Sequence, residues 1–349
     1  MNIFDLINAK QLATYYLNTA SNRIPYLGAT LFPARKQLGL DLSWIKGSNG
    51  LPVALMPSVF DTKATIRDRI GIDKLETEMP FFREAMRIGE KDRQELNKFI
   101  TAANSALLEP MIAKIYDDAN NLVAGADVQS ERMIMQLLST GLIAITANRI
   151  NYDYDYQLEG THKETLLLTA RWSQSATATP IADIQRWQDI IEESTGTKPT
   201  RAICTKKTWN YLMACDSIKK DMNPVGYANI IVTDAMLQQY LQNKVGLTVA
   251  IYNKKYATAP GGSGTQFFPD EIFTLIPDGD LGNTYFGTTP EESDLMTGNT
   301  DASVQIVNTG VAITTIKEPH PVNVQTIVSA IILPSFPRID EIFVATVHA

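Results

Sequence analysis

A run of apolar residues at helical spacing constrains the fold of this sequence more than any other feature. Its members recur every three or four residues, which places their side chains on one face of an α-helix. They are Leu96, Phe99, Ile100, Ala103, Leu107, Met111 and Ile115. We therefore predict a long helical region from about residue 91 to 140, with this face packed in the core.

A polar segment interrupts the helical pattern. Residues 117–126 are mostly polar and contain Gly125, so we expect the helix to break there. Asp127 is then the expected N-cap of a second helix, which contains Met133 and ends at Gly141.

The sequence period changes from 3.6 to two after this helical region. Residues 142–150 and the alternating stretch YDYDY at 152–156 predict β structure, and residues 158–168, which contain Gly160, predict the returning strand of a β-hairpin. In a strand, Asp153 and Asp155 share one face and the tyrosines share the other. Two carboxylates on one strand could bind a cation or act as an acid–base pair. They lack the further oxygen ligands of a calcium loop, so we expect a solvated strand face.

Two segments precede the helical region. Residues 1–40 predict a short helix near residues 5–17 and then an extended arm, although an ordinary N-terminal segment packed on its own domain explains them equally well. Residues 41–80 combine strand-forming residues, a GSNG turn at 47–50 and interspersed charges. They predict a long β loop that projects outward, and the alternative is a sheet packed in the core.

From residue 179 onward the pattern is typical of an α/β domain. Thr179 and Pro180 predict a helix start and Gly196 its end. The remaining predicted strands lie at 202–204, 230–232, 247–252, 271–276, 304–316, 322–333 and 339–347. Helices are expected after the first two of these strands. A glycine-rich loop at 259–264 lies between strands without a helix start, so we reject a nucleotide-binding interpretation.

Composition argues against most kinds of chemistry. The net charge of −7 and the lack of a dense basic run disfavour a sequence-independent nucleic-acid binder. No apolar run approaches the roughly 18 residues of a membrane span, and we expect neither a signal peptide nor a cleaved propeptide. The three histidines and two cysteines form no catalytic or metal-binding motif. We predict no catalytic residues, no cofactor and no metal, with Cys204 and Cys215 as buried free thiols.

The order of these elements, together with several short stretches, resembles the lambda-type major head proteins of tailed phages, the capsid protein E family. The stretches are FREAMRIGE at 82–90, ERMIMQLLSTG at 131–141, DGDLGNTYFG at 278–287 with TPEE at 289–292, and LPSFP at 333–337. The resemblance implies an α+β fold of the Hong Kong 97 capsid type. It covers nearly the whole chain.

The resemblance also implies a division of the chain. The expected segments are an N-terminal arm at 1–40, an extended β loop at 41–80, a peripheral domain with the spine helix at 81–178, an axial domain at 179–325, and C-terminal strands returning to the peripheral domain at 326–349. The arm and the loop would reach over neighbouring subunits. We take Trp44, Arg67, Arg69, Glu76 and Glu78 as candidate inter-subunit contacts.

The function implied is self-assembly into hexamers and pentamers of an icosahedral phage head. The partners implied are copies of the chain itself, with scaffolding, portal and decoration proteins, and enclosed double-stranded DNA that is not bound sequence-specifically. The chain would belong to the virion, would be assembled in the host cytoplasm, and would bind no membrane. The alternatives are an encapsulin-like compartment enclosing cargo enzymes and an isolated binding protein or enzyme. We expect no covalent crosslinks between subunits.

Overall fold

The computed structural model describes residues 8–20, 26–45, 74–91, 94–95, 98, 105–147, 150–259, 261–298, 303–319 and 322–348. The helices in these ranges are α1 (Ala9–Ala20), α2 (Leu27–Leu31), α3 (Ser105–Thr140), α4 (Pro180–Thr195), α5 (Lys206–Ala214), α6 (Asp216–Met222), α7 (Asp234–Val245) and α8 (Pro290–Thr297).

The strands alternate with these helices along the chain. They are β1 (Ala34–Lys36), β2 (Asp41–Ile45), β3 (Lys74–Glu78), β4 (Phe81–Ile88), β5 (Leu142–Ala147), β6 (Ile150–Asp155), β7 (Lys163–Thr165), β8 (Arg201–Cys204), β9 (Thr248–Ile251), β10 (Lys255–Tyr256), β11 (Thr265–Gln266), β12 (Ile272–Ile276), β13 (Asn283–Phe286), β14 (Ser303–Val307), β15 (Val311–Pro319), β16 (Val322–Ser335) and β17 (Phe343–Thr346).

The long central helix α3 is continuous, so the predicted break at 117–126 is wrong. Leu122 and Val123 within that segment are buried, and their packing offsets the cost of about 1 kcal/mol for a glycine inside a helix. Asp127 is therefore no N-cap. The predicted end is confirmed, because Gly141 follows α3 with φ +78 and donates its N–H to Leu137. The members of the predicted apolar helix face that fall between residues 99 and 104 lie outside the described residues.

The chain forms two compact units. The first unit contains Met1–Leu42, Glu76–Met133 and Asn283–Ser335, and the second contains Ser43–Leu75, Ile134–Gly282 and Phe336–Ala349. The boundary predicted at residue 325 falls inside the strand β16, and the predicted division of the chain stays a prediction. The assignment of the peripheral and axial roles to these units stays a prediction.

The first unit is built on a six-stranded sheet around β16. The strand β16 pairs antiparallel with β15, with β4 and, toward its end, with β13. Parallel pairing attaches β1 to β13, and β14 closes the far side next to β15. The stretch predicted as one strand at 304–316 is thus a hairpin of β14 and β15.

The second unit is built on a five-stranded sheet in the order β7-β17-β12-β8-β9. Its core contains Trp172, Trp187, Phe273 and Phe343, whose rings contact one another in pairs with centroids between 4.9 and 6.4 Å apart. The predicted start and end of α4 are confirmed. Pro180 occupies the first turn, and Gly196 follows the helix with φ +74.

The strand predicted at 230–232 is absent from the described structure and is replaced by irregular chain before α7. The neighbouring strand β8 is already paired on both edges, with β12 and with β9. Thr233 instead caps α7, because its hydroxyl accepts the N–H of Met236 at 3.3 Å. Residues 230–232 stay outside the five-stranded sheet.

Three two-stranded sheets complete the described structure, namely β10 with β11, β2 with β3 near the predicted loop, and β5 with β6. The strands β2 and β3 pair with each other, and residues 46–73 between them lie outside the described residues. The strands β5 and β6 form an antiparallel hairpin, with Leu142 opposite Asp155. The return predicted at 158–168 is wrong, because β7 within that stretch pairs in parallel with β17 of the five-stranded sheet. Asp153 and Asp155 are exposed, and Tyr152 stacks on Tyr154 at 6.2 Å, which confirms the alternation.

Candidate inter-subunit surfaces

The candidate contact residues of the extended loop are only partly described. Trp44 lies in β2 and stacks on Tyr156 of its own chain, with ring centroids 5.2 Å apart. Its indole N–H is buried without a hydrogen-bond partner among the described residues. Part of the Trp44 side chain is thus packed within its own subunit, and only the rest of its surface is available for a contact with another copy.

Two of the four charged candidates lie within the described residues. Glu76 and Glu78 lie in β3, and Glu78 is exposed at the end of this strand. Arg67 and Arg69 lie outside the described residues. Two of the five candidates thus share one strand, and their role at a subunit contact stays a prediction.

The start of the N-terminal arm is bound to the first unit of its own chain. The hydroxyl of Tyr15 donates to Asp117 of α3 at 2.8 Å, and this hydrogen bond to a carboxylate raises the pKa of Tyr15. Tyr16 donates to Asp127 at 3.0 Å and accepts from the Asn308 amide at 3.0 Å. These contacts agree with the alternative of an N-terminal segment packed on its own domain.

A second anchor holds the arm farther along the chain. Lys36 forms an ion pair with Glu292 at 2.5 Å and donates to the carbonyl of Gly287 at 3.0 Å. The segment between Ala9 and Lys36 is therefore fixed at several points to its own subunit. Residues 1–7 and 21–25 lie outside the described residues.

The loop between α6 and α7, residues 223–233, exposes apolar side chains from the second unit. Val225 is 98% exposed and Ile231 is 83% exposed. The loop is not loose chain, because Gly226 donates its N–H to the Asn223 side chain at 3.0 Å and Asn229 donates to Gly226 at 3.0 Å. We call residues 223–233 the apolar loop.

Charged and aromatic groups fix the apolar loop to the helices beside it. The Lys220 ammonium lies 4.9 Å from the centre of the Tyr227 ring, within the range of a cation–π contact. Asp221 accepts hydrogen bonds from Tyr240 and from Lys244, and these donors lower the pKa of the Asp221 carboxyl. The two exposed aliphatic side chains are thus presented on a supported turn.

A second apolar turn lies in the same unit. Leu167 is 64% exposed and Leu168 is 79% exposed, and Leu168 has a φ of +49. Positive φ is unfavourable for a bulky side chain and is retained only when the surroundings impose it. The N–H of Ala170 bonds to Leu167 at 3.1 Å and stabilises this turn.

Groups capable of catalysis are buried or engaged in the described structure. Burial raises the pKa of Cys204 and of Cys215 to about 12, so both thiols stay protonated at neutral pH. His162 and His348 are both buried. Among the described residues, no group of three or more histidine, cysteine or acidic side chains could hold a metal ion.

None of the helices in the described ranges has the length and apolar character required to cross a bilayer.

Two solved structures share this architecture over nearly their whole lengths. One is a prophage protein of Escherichia coli CFT073 that is assigned as a capsid protein, with 14% sequence identity, a TM-score of 0.60, and coverage of 98% of this chain and 99% of that chain. The other is a phage-related protein from Bordetella bronchiseptica RB50, with 12% identity, a TM-score of 0.56, and coverage of 97% of each chain. The fold is the Hong Kong 97 type of phage capsid proteins, as predicted.

The family itself follows from the sequence. The family model of the phage major capsid protein E matches residues 10–347. This chain belongs to that family, and its role is to build the capsid shell of a virion. The match favours the phage capsid over the encapsulin alternative. No curated protein sequence matches the chain significantly.

Sequence reasoning missed both apolar turns. Val225 follows Pro224 in a turn-forming stretch, where a branched aliphatic residue has no core to enter, and this signal could have identified the apolar loop. Residues 230–232 were predicted to form a strand, so the exposure of Ile231 was not expected. The exposure of Leu168 depends on its backbone conformation, which no local pattern reveals.

Proposed function

We propose that the chain assembles into hexamers and pentamers of an icosahedral phage head that encloses double-stranded DNA. The second unit acts as the axial domain, and its apolar loop contacts the next copy around each ring. The chain works through its surfaces and carries no catalytic activity. Assembly takes place in the host cytoplasm, with scaffolding, portal and decoration proteins as further partners.

The observation that carries this proposal is the exposure of Val225 and Ile231 on a hydrogen-bonded turn. Burying an aliphatic side chain of this size contributes about 1.5–3 kcal/mol. Another copy of the chain can supply that burial, and a ring repeats the contact at every subunit. Each contact stays modest while the closed ring becomes stable, which permits errors to be corrected during growth.

The net charge of the chain supports the proposal that the shell encloses double-stranded DNA. A net charge of −7 makes the average interaction of the subunit with the phosphate backbone repulsive. A shell wall of this kind would enclose the genome without trapping it as it enters. The extended loop, with Trp44, Arg67, Arg69, Glu76 and Glu78, is proposed as a second contact between subunits.

The test compares the assembly of three purified proteins by size-exclusion chromatography and negative-stain microscopy. They are the natural chain, the double variant Val225→Ser/Ile231→Ser, and the control Ala228→Ser in the same loop. We expect shells from the natural chain and from the control, and a large loss of shells from the double variant. Thermal unfolding of the dissociated subunits should be similar for all three. Normal shells from the double variant would overturn the proposed role of the apolar loop.

A further inference from the structure

The strand β4 has an open outer edge. It pairs with β16 along one edge through eight residue pairs, from Phe81 opposite Ile331 to Ile88 opposite Val324. No described strand pairs with its other edge. Residues 83–87 are all exposed, so the middle of the strand is accessible from outside.

An open strand of this length presents unpaired backbone groups and tends to pair with another chain unless something prevents it. The side chains decide which partner fits. Arg83 and Arg87 share one face of β4 by the two-residue period of a strand. Arg83 already contacts Glu291 at 2.5 Å, whereas Arg87 has no ion-pair partner among the described residues.

Pairing of β4 with β4 of a second copy is disfavoured by charge. In an antiparallel pair centred on Ala85, Arg83 of each copy lies opposite Arg87 of the other. Like charges directly opposite each other destabilise a strand pair. The fitting partner is therefore an acidic strand with an open edge of its own.

The strand β6 meets these requirements. It belongs to a two-stranded sheet with β5, and its other edge has no partner among the described strands. It carries Asp153 and Asp155 exposed on one face and no basic side chain. Asp155 accepts the N–H of Gln157 at 2.7 Å, while Asp153 has no partner among the described residues.

We infer that β4 of one subunit pairs with β6 of a second copy, so that the two sheets join across the contact. Antiparallel pairing that sets Ala85 opposite either aspartate puts the two arginines and the two aspartates on the same face. A shift by one residue would instead place the arginines opposite tyrosines, so the charges select the register. Because the two surfaces differ, the contact is head-to-tail, which suits growth into rings and shells.

This inference rests on the proposed assembly, and charge reversal tests it. We expect Arg87→Glu and Asp153→Arg, each alone, to lower the shell yield at least about tenfold, because the repulsion is repeated at every copy. The combined variant Arg87→Glu/Asp153→Arg should restore most of the yield. The matched control is Glu84→Arg, which changes a charge on the opposite face of β4 and should not be rescued by Asp153→Arg.

The outcomes separate the inference from the proposed function. If the natural chain forms no shells, the proposed function fails. If it forms shells and either single reversal leaves the yield unchanged, or the combined variant is no better than the single ones, the strand pairing is wrong. Circular dichroism of the dissociated subunits identifies any variant that fails to fold. In that case Arg87→Gln and Asp153→Asn replace the reversals, with a smaller loss expected from each.

Discussion

Both carboxylate oxygens of Glu131 accept the backbone N–H of Gly28, at 2.9 and 3.2 Å. The acid lies buried in α3, and the glycine lies in α2 of the N-terminal arm. The bond joins residues 103 positions apart in sequence and fixes where the arm crosses the spine helix. Glu131 belongs to the stretch that carried the resemblance to capsid proteins, and its position gives that stretch a structural role.

Replacement of Glu131 should therefore loosen the arm. We expect Glu131→Ala to lower the free energy of unfolding of the dissociated subunit by about 1–3 kcal/mol, because a buried N–H loses its acceptor. Glu131→Gln should cost less, since one acceptor oxygen remains. Urea unfolding measures both, with the exposed Glu193→Ala as a control. An unchanged midpoint for Glu131→Ala would contradict the anchoring role.

Two glycines should respond in opposite ways to an added methyl group. A Cβ on Gly287 would lie 2.6 Å from the Ile331 side chain and 2.9 Å from the Gly39 carbonyl, so Gly287→Ala should destabilise the subunit by about 1–3 kcal/mol. A Cβ on Gly125 in α3 meets open space, and Gly125→Ala should stabilise by up to about 1 kcal/mol. Thermal unfolding compares the two. Equal effects would contradict the packing around Gly287.

The buried His348 should make the subunit less stable in mild acid. Burial lowers the pKa of His348 below the unfolded value of 6.5, and the nearby charge of Lys207 lowers it further. Asp270 and Glu271 raise the pKa but do not cancel this effect. The His348 ring forms a hydrogen bond with the Thr208 hydroxyl, with 3.1 Å between Nε2 and the oxygen, and contacts the Tyr211 ring edge-on. The unfolded chain binds the proton more strongly than the folded chain does. The contribution of neutral His348 to the free energy of unfolding is therefore complete above pH 6.5 and declines as the pH falls below it.

The measurement is urea unfolding of the dissociated natural chain and of His348→Gln at several pH values between 7.5 and about 5. The natural chain should lose more stability over this range than the variant does. His162 is present in both proteins, so its effect cancels. Identical pH profiles would show that His348 makes no such contribution.

Removal of the extended loop should separate folding from assembly. A deletion of residues 48–70 leaves both β2 and β3 in place, so the shortened chain should stay soluble and folded. It should not form closed shells, because the loop is proposed to reach a neighbouring subunit. Circular dichroism and negative-stain microscopy make the comparison with the natural chain. Normal shells would remove the loop from the assembly mechanism.

The sequence predicts the local elements of this fold well where local chemistry determines them. The Thr179–Pro180 start and Gly196 end of α4 are both confirmed, and so is the alternation of the β6 hairpin strand. These elements follow from side-chain period and backbone restrictions within a few residues. The order of these elements then led to the resemblance, which supplied the type of fold that no local rule contains.

The errors occur where distant residues decide the outcome. Packing of Leu122 and Val123 keeps α3 continuous through a polar segment. The edge of β8 is paired with β9, and residues 230–232 stay outside the sheet, which leaves Ile231 exposed on the apolar loop. Contacts between copies depend on such exposures, so the candidate surfaces were less predictable than the fold.

The central claim is that this chain builds a closed shell from copies of itself. Electron microscopy of the purified natural chain, together with size-exclusion chromatography over a range of concentrations, tests it most directly. The account predicts closed icosahedral particles whose surfaces resolve into rings of six and five subunits. A stable monomer at every concentration, with no particles in the micrographs, would contradict it.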